Sequence, residues 1–164
     1  MFGRGRQRPK VGDLGPDRRI FKGPKNRRAF FKYLHQLLPE GSVIFIEGTR
    51  IAEDVRIVLQ ALQPVDVPEV RRCTLWPKPY TFHLPATAEN LQELVRLLKS
   101  HAIWEVLDHI KAYTDQTMLL SWHDLACDDT PVKVSGQIDE AKIRSFFSNL
   151  GCNVERAGVS TTKA

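Results

Sequence analysis

The chain has 164 residues, a hydrophobic fraction of 42% and a formal net charge of +5. This length sustains one hydrophobic core and excludes two separate cores of ordinary size. The sequence contains no run of about 18 apolar residues, so we expect no membrane-spanning helix. Its first residues include charges but no apolar segment, so we expect no secretory signal and a cytoplasmic protein.

The positive charge is concentrated at the start of the chain. Residues 1–28 contain ten basic and two acidic side chains, whereas the remaining residues contain 14 basic and 17 acidic ones. Because apolar residues are sparse among the glycines and prolines of residues 1–25, we expect this segment to be a flexible, disordered arm. We expect one folded domain over residues 26–157 and a frayed tail over residues 158–164.

Hydrophobic periodicity predicts the first elements of that domain. A helix begins after Asn26, which is a suitable cap, and ends before Pro39. The apolar run 43–46, together with Glu47, predicts a strand that is buried on both faces, as in a parallel sheet. A helix over 51–62 and a loosely alternating strand over 70–76 follow it. Together these three elements predict a parallel βαβ unit with a right-handed crossover.

Further strands and helices are predicted in the second half of the chain. In order they are a strand over 80–84, a helix over 87–98 capped by Thr87, a helix over 103–113, a strand over 118–122, a strand over 132–134, a helix over 138–150 with Asp139 at its start, and a strand over 152–155. The two strands over 118–134 would pair as a hairpin. We therefore predict a single α/β or α+β domain with a mixed sheet of five or six strands flanked by helices.

The turn from Glu47 to Arg50 is the first candidate site. It would lie beyond the carboxyl end of strand 43–47, where open α/β sheets bind their ligands. Free N–H groups at the start of the next helix and the Arg50 guanidinium would favour an anion. The turn contains a single glycine and matches neither a dinucleotide fingerprint nor a P-loop. An ordinary turn in which Thr49 caps the following helix explains the same residues.

His123 and Asp124 form a second candidate, at the end of the predicted strand 118–122. A histidine beside carboxylates suits acid–base catalysis or a hard cation, although aspartates are also common in turns. We therefore take Glu47, His123 and Asp124 as candidate catalytic residues. A shared site requires His123 to lie within about 15 Å of Glu47. A pairing of Cys127 with His123 would rest on their closeness in sequence alone.

A metal site is not expected. The residues His101, Glu105 and His109 recur every four positions, which is a helical spacing, but the two histidines would be about 12 Å apart along a helix axis. One ion could not bridge that distance, and the stripe would face water. We expect no cofactor.

The chain contains three widely spaced cysteines, Cys73, Cys127 and Cys152. An odd number at such spacings is typical of reduced thiols.

The basic arm gives the first functional hypothesis. A non-enzymatic binding or adaptor protein would contact an anionic partner through residues 1–28, with nucleic acid favoured over an acidic protein surface. A solubilising tail explains the same charges. The residues expected to bind the anion are Arg4, Arg6, Arg8, Lys10, Arg18, Arg19 and Arg50.

Two other hypotheses remain open. One is a small enzyme that acts on a phosphorylated or otherwise anionic ligand at the Glu47–Arg50 turn. The other is a protein–protein partner, such as an inhibitor or an immunity-type subunit.

The segment 71–80 places basic residues and prolines around Trp76 and Tyr80. This pattern is typical of a contact surface and also of an edge hairpin protected by charge and proline, and we favour the edge hairpin.

Overall fold

The computed structural model describes residues 7–152. Six strands are present there: β1 (Arg19–Lys22), β2 (Val43–Gly48), β3 (Tyr80–Pro85), β4 (His109–Thr114), β5 (Thr117–Trp122) and β6 (Pro131–Val134). Four helices accompany them: α1 (Arg27–Leu37), α2 (Glu53–Leu62), α3 (Ala88–Ser100) and α4 (Glu140–Asn149). The prediction of a single α/β or α+β domain with five or six strands flanked by helices is confirmed. None of these helices has the length and apolarity needed to cross a membrane.

The strands form one sheet in the order β1-β6-β5-β4-β2-β3, and every neighbouring pair is antiparallel. The predicted parallel βαβ unit is therefore wrong, and the sheet is antiparallel rather than mixed. The segment 70–76 forms no strand, and β3, the next strand after α2, runs antiparallel to β2. The continuous apolar run of β2 has another cause: helices cover one of its faces, and irregular segments of the chain cover the other.

The main core lies between the sheet and the helices. Ile44 and Ile46 of β2 point into it, whereas Phe45 points to the opposite face. The ring of Trp122, at the end of β5, packs edge-on against Phe30 of α1, with 4.9 Å between ring centroids. Alternation along each strand therefore divides the sheet into a helix-covered face and a second face.

The predicted helix over 103–113 is wrong. Residues 103–105 form a single 3₁₀ turn, and β4 begins at His109. In β4, Ile110 and Ala112 face the helices while Lys111 and Tyr113 face the other way, and all four side chains are buried. Because both faces are buried, the strand shows no clear alternation of apolar and polar residues, and the apolar spacing was compatible with a helix.

Other local predictions are confirmed. Side-chain oxygens of Asn26, Thr87 and Asp139 accept backbone N–H groups at the starts of α1, α3 and α4. The strands β5 and β6 pair as predicted. Gly151 follows α4 with a φ of +73°, a conformation that glycine adopts without strain. The predicted strand over 152–155 and the tail 158–164 extend beyond the described residues.

Residues 7–25 lie on the domain, where the sequence had indicated a flexible arm. β1 pairs with β6, and the ring of Phe21 stacks on that of Phe147 with 4.3 Å between centroids. Val11 is buried against the second face, beside Phe45. The segment contains few apolar side chains, but Phe21 packs into the main core, Val11 packs against the second face, and β1 joins the sheet. Residues 1–6 are outside the described part of the chain.

Candidate functional site

The face of the sheet opposite the helices, here called the helix-free face, carries most of the polar groups of interest. Residues 9–12 and 67–74 cross it and are joined to each other by backbone hydrogen bonds. The Val11 N–H donates to the carbonyl of Glu69 at 2.9 Å, and the Glu69 N–H donates to the carbonyl of Pro9 at 2.8 Å. The side chains that the sheet contributes include Phe45, His83, Lys111, Tyr113, Ser121, His123 and Lys133.

Glu47 is completely buried near the end of β2. Its carboxylate accepts two backbone hydrogen bonds, from Cys73 at 2.8 Å and from Thr74 at 2.6 Å, one on each oxygen. A buried carboxylate is stable only when donors of this kind compensate for its lost hydration. Both oxygens thus hold the 67–74 segment against the sheet, which differs from the acid–base role expected from the sequence.

The structure brings His123 and Asp124 to the same end of the sheet as Glu47. The strands β2 and β5 both run antiparallel to β4, which lies between them, so their carboxyl ends meet at one edge. Glu47 hydrogen bonds to the backbone of Cys73, and the Sγ of Cys73 lies 3.3 Å from His123 Nε2. Since both residues contact Cys73, the limit of about 15 Å for a shared site is met.

His109 connects Asp124 to the same cluster. The Asp124 N–H donates to His109 Nδ1 at 2.9 Å, so His109 carries its proton on Nε2, which lies 3.2 Å from Thr74 Oγ1. His123 Nε2 also lies 3.0 Å from Ser121 Oγ. The cysteine beside His123 is therefore Cys73 and not Cys127, the pairing that sequence proximity offered.

The ionisation of this cluster does not favour nucleophilic catalysis. Burial raises the pKa of the Cys73 thiol, Lys111 opposes this rise and the negative charge of Glu47 adds to it, and the resulting pKa is about 11. Burial also lowers the pKa of His123, which favours the neutral form of the ring. A reactive cysteine needs a low pKa and a positively charged neighbour, and Cys73 has neither a low pKa nor a charged imidazole beside it.

The turn after β2 already holds an anion, which is a side chain of the protein itself. The N–H and Oγ1 of Thr49 both donate to the carboxylate of Asp108, at 2.9 and 3.1 Å. Helix α2 begins later than predicted, at Glu53, and Thr49 does not cap it. The guanidinium of Arg50 lies over the ring of Trp104, 5.9 Å from its centroid. Asp108 therefore takes the place expected for an anionic ligand.

The residues His101, Glu105 and His109, for which a metal site was considered and not expected, are dispersed in the structure. His101 Nε2 contacts Asp54 at 2.8 Å, next to α2, and the Glu105 side chain accepts the N–H of Ala102 at 2.8 Å. His109 alone of the stripe belongs to the cluster at the end of the sheet. Within residues 7–152, no group of three or more histidine, cysteine or acidic side chains has the arrangement of a metal site.

The basic residues of the expected arm are divided between the two faces. Arg8, Lys10 and Arg18 line cavities on the helix-free face. Arg19 lies on the helix side, where its guanidinium is 3.5 Å from Glu140. Arg4 and Arg6 are outside the described residues.

Several cavities open on the helix-free face among residues 7–152, and two of them have strongly basic linings. The larger of these two, of about 800 Å³, is lined by apolar side chains that include Phe45 and Val70 and by polar ones that include His83. The smaller, of about 190 Å³, lies beside Ser121 and His123. Seven basic side chains line the two cavities: Arg8, Lys10, Arg18, Arg71, Arg72, Lys111 and Lys133. Two carboxylates, those of Asp13 and Glu69, oppose them.

The sequence missed several of these residues. Lys111 is buried in β4, and its Nζ donates to the carbonyl of Arg71 at 2.5 Å. A lysine within an otherwise apolar strand is the signal that could have singled it out, because buried lysines need a partner. Cys73 and Thr74 contact groups that are distant in sequence, and no local pattern marks them.

No protein-family model, curated protein or solved structure matches this chain.

The Glu47 anchor can be tested by Glu47→Gln. The amide keeps one acceptor oxygen but turns its NH₂ group toward a backbone N–H, so one buried donor is left without a partner. We expect the free energy of unfolding to fall by about 2 kcal/mol in urea denaturation at pH 7. Glu89→Gln, an exposed change in the first turn of α3, should alter it by less than about 0.5 kcal/mol. Equal stabilities of the two variants would show that the anchor is unimportant.

His83 predicts a pH dependence of stability. Burial, with a smaller effect from the Arg8 charge, lowers its pKa from 6.5 to about 4. The unfolded chain therefore binds a proton below about pH 6.5 that the folded chain does not accept until about pH 4. Stability contributed by neutral His83 is present above pH 6.5 and declines as the pH falls.

Urea denaturation at pH 7 and pH 4 of the wild type and His83→Gln measures this effect. Between these pH values the wild type should lose about 3 kcal/mol more stability than the variant, which has no imidazole to protonate. The same loss in both proteins would contradict the assignment of this pH dependence to His83.

Proposed function

We propose that this chain is a non-enzymatic binding protein that holds an anionic partner, with nucleic acid favoured, on its helix-free face. The observation that carries the proposal is the charge around the two cavities, where seven basic side chains face two carboxylates. A surface of this kind attracts phosphate groups, and binding releases the counterions condensed on them.

The ion pairs on this face leave its positive charge available. Lys10 and Glu69 are 4.0 Å apart and both are largely exposed, and Arg71 and Asp13 are 3.6 Å apart in a similar setting. Exposed pairs of this kind contribute little free energy, so a phosphate can replace either carboxylate.

The proposal retains the anionic partner expected from the sequence but changes the surface that contacts it. A fixed surface made of residues 8–18, residues 71–72 and strands β4 and β6 replaces a flexible arm. A deletion of residues 1–25 is consequently a poor test, because it removes β1 and the segment that crosses the helix-free face. Substitutions of basic residues that are exposed or half-buried separate binding from stability.

The two alternatives receive less support. An enzyme site at the Glu47–Arg50 turn would need a free carboxylate and a free anion site, but Glu47 and Thr49 are both engaged with the protein itself. A protein–protein role would use the exposed apolar side chains of Leu75 and Trp76.

We further propose a cytoplasmic location, which the free thiols of Cys73, Cys127 and Cys152 support.

The charge hypothesis is tested with the triple variant Arg8→Ala, Arg72→Ala and Lys133→Ala. We expect its affinity for a single-stranded oligonucleotide to fall about tenfold or more at moderate salt. The slope of log K against log salt should become shallower by up to about 2, because each phosphate that the variant no longer neutralises reduces it by about 0.7. Fluorescence anisotropy over a range of salt concentrations measures both quantities.

A matched control removes the same charge from the helix side. Lys32, Lys99 and Lys142 are exposed on α1, α3 and α4, and their triple replacement by alanine should leave the affinity within about twofold of the wild type. If both triple variants weaken binding equally, only net charge matters and the helix-free face has no special role.

A further inference from the structure

A loop on the helix-free side presents large apolar side chains to solvent. The side chains of Leu75 and Trp76 are 85% and 87% exposed. Both belong to residues 71–80, here called the platform loop, which leads into the edge strand β3. Tryptophan is usually well buried because of its large apolar area, so an almost fully exposed ring indicates a contact surface.

The platform loop is held from its inner side by successive residues. The carbonyl of Arg71 accepts a hydrogen bond from Lys111, the N–H groups of Cys73 and Thr74 donate to Glu47, and Thr74 Oγ1 contacts His109. These contacts precede Leu75 and Trp76 directly in the chain. The backbone that presents the indole ring is therefore fixed before any ligand arrives, which reduces the entropy cost of binding.

The charge of the platform loop narrows the class of ligand. Residues 70–83 include Arg71, Arg72 and Lys78 and contain no acidic residue. Tyr80, at the start of β3, points to the helix side like Phe82, and the guanidinium of Arg56 in α2 lies 4.5 Å from the centroid of its ring. An exposed aromatic ring such as that of Trp76, among positive charges that are only partly compensated, matches a ligand that has flat π faces and negative charges at close intervals.

From these observations we infer that the partner is a single-stranded nucleic acid and that one of its unpaired bases stacks on Trp76. The inference rests on the proposed function, because the phosphates on either side of this base would lie on the basic helix-free face. A duplex fits less well, since its bases are already stacked on one another and offer no face to the indole. A base-free polyanion would use the positive charges and leave Trp76 exposed.

A comparison of two oligonucleotides separates stacking from charge. The probes are an oligo(dT) of about 20 nucleotides and an abasic oligonucleotide of the same length, which has the same phosphates and no bases. We expect the wild type to bind oligo(dT) about tenfold more tightly than the abasic strand. Trp76→Ala should lose this preference and keep its affinity for the abasic strand, as measured by fluorescence anisotropy at one fixed salt concentration.

Trp104→Ala is the matched control, because Trp104 is also exposed, at 44%, and also lies beside an arginine, Arg50. This variant should keep the tenfold preference for oligo(dT). The Arg8, Arg72 and Lys133 triple variant should bind both probes more weakly and also keep the preference. Stacking and charge thus affect different quantities: the ratio of the two affinities and their absolute values.

Each failure has a distinct meaning. If the wild type binds both oligonucleotides equally, or if Trp76→Ala keeps the preference for oligo(dT), base stacking on Trp76 is wrong while the basic face can still be right. If the basic triple variant binds as tightly as the wild type, the proposed function is wrong. If the wild type binds neither probe, both are wrong, and the exposed loop is left to a protein partner.

Discussion

The buried carboxylate of Glu47 is the interaction on which the helix-free side of the molecule depends. It sits near the end of a central strand, and it pairs with two backbone N–H groups of a segment that has no secondary structure of its own. Without these bonds, residues 71–74 would have to satisfy their polar groups with water. With them, an irregular loop acquires a fixed position, and the side chains that follow it acquire a fixed direction.

The same segment links the two ends of the helix-free face. Through Glu69 it bonds to the crossing residues 9–12, and through Cys73 and Thr74 it bonds to the cluster that contains His109 and His123. The basic side chains therefore come from distant parts of the sequence but share one surface. The concentration of charge in residues 1–28 suggested a detached arm, whereas the structure places Arg8, Lys10 and Arg18 on the same face as basic residues of β4, β6 and residues 71–72.

Features that depend on local sequence were predictable. The helix caps at Asn26, Thr87 and Asp139 and the apolar stripes behind them follow from short-range rules, and the structure reproduces them. Strand direction was not predictable in the same way. The strand 43–47 is buried on both faces in a parallel sheet and equally in an antiparallel sheet that loops cover, so its apolar run fits either arrangement.

The candidate site was predictable only in part. Glu47, His123 and Asp124 were chosen because they lie at or just after the ends of predicted strands, and they do meet at one end of the sheet. The strand between them, β4, was predicted as a helix. Their chemistry could not be inferred, because it depends on partners at long sequence separations, such as that of Glu47 with Cys73. The exposure of Trp76 was also hidden, since composition does not distinguish a core tryptophan from an exposed one.

The decisive measurement is a map of the surface that nucleic acid covers. Backbone amide signals of the ¹⁵N-labelled protein can be followed by NMR during titration with oligo(dT). We expect the largest shifts at residues 8–12, in the platform loop and at Lys133, while the amides on the exposed sides of α1, α3 and α4 stay unchanged. Shifts confined to those helices, or no shifts at saturating oligo(dT), would contradict binding on the helix-free face.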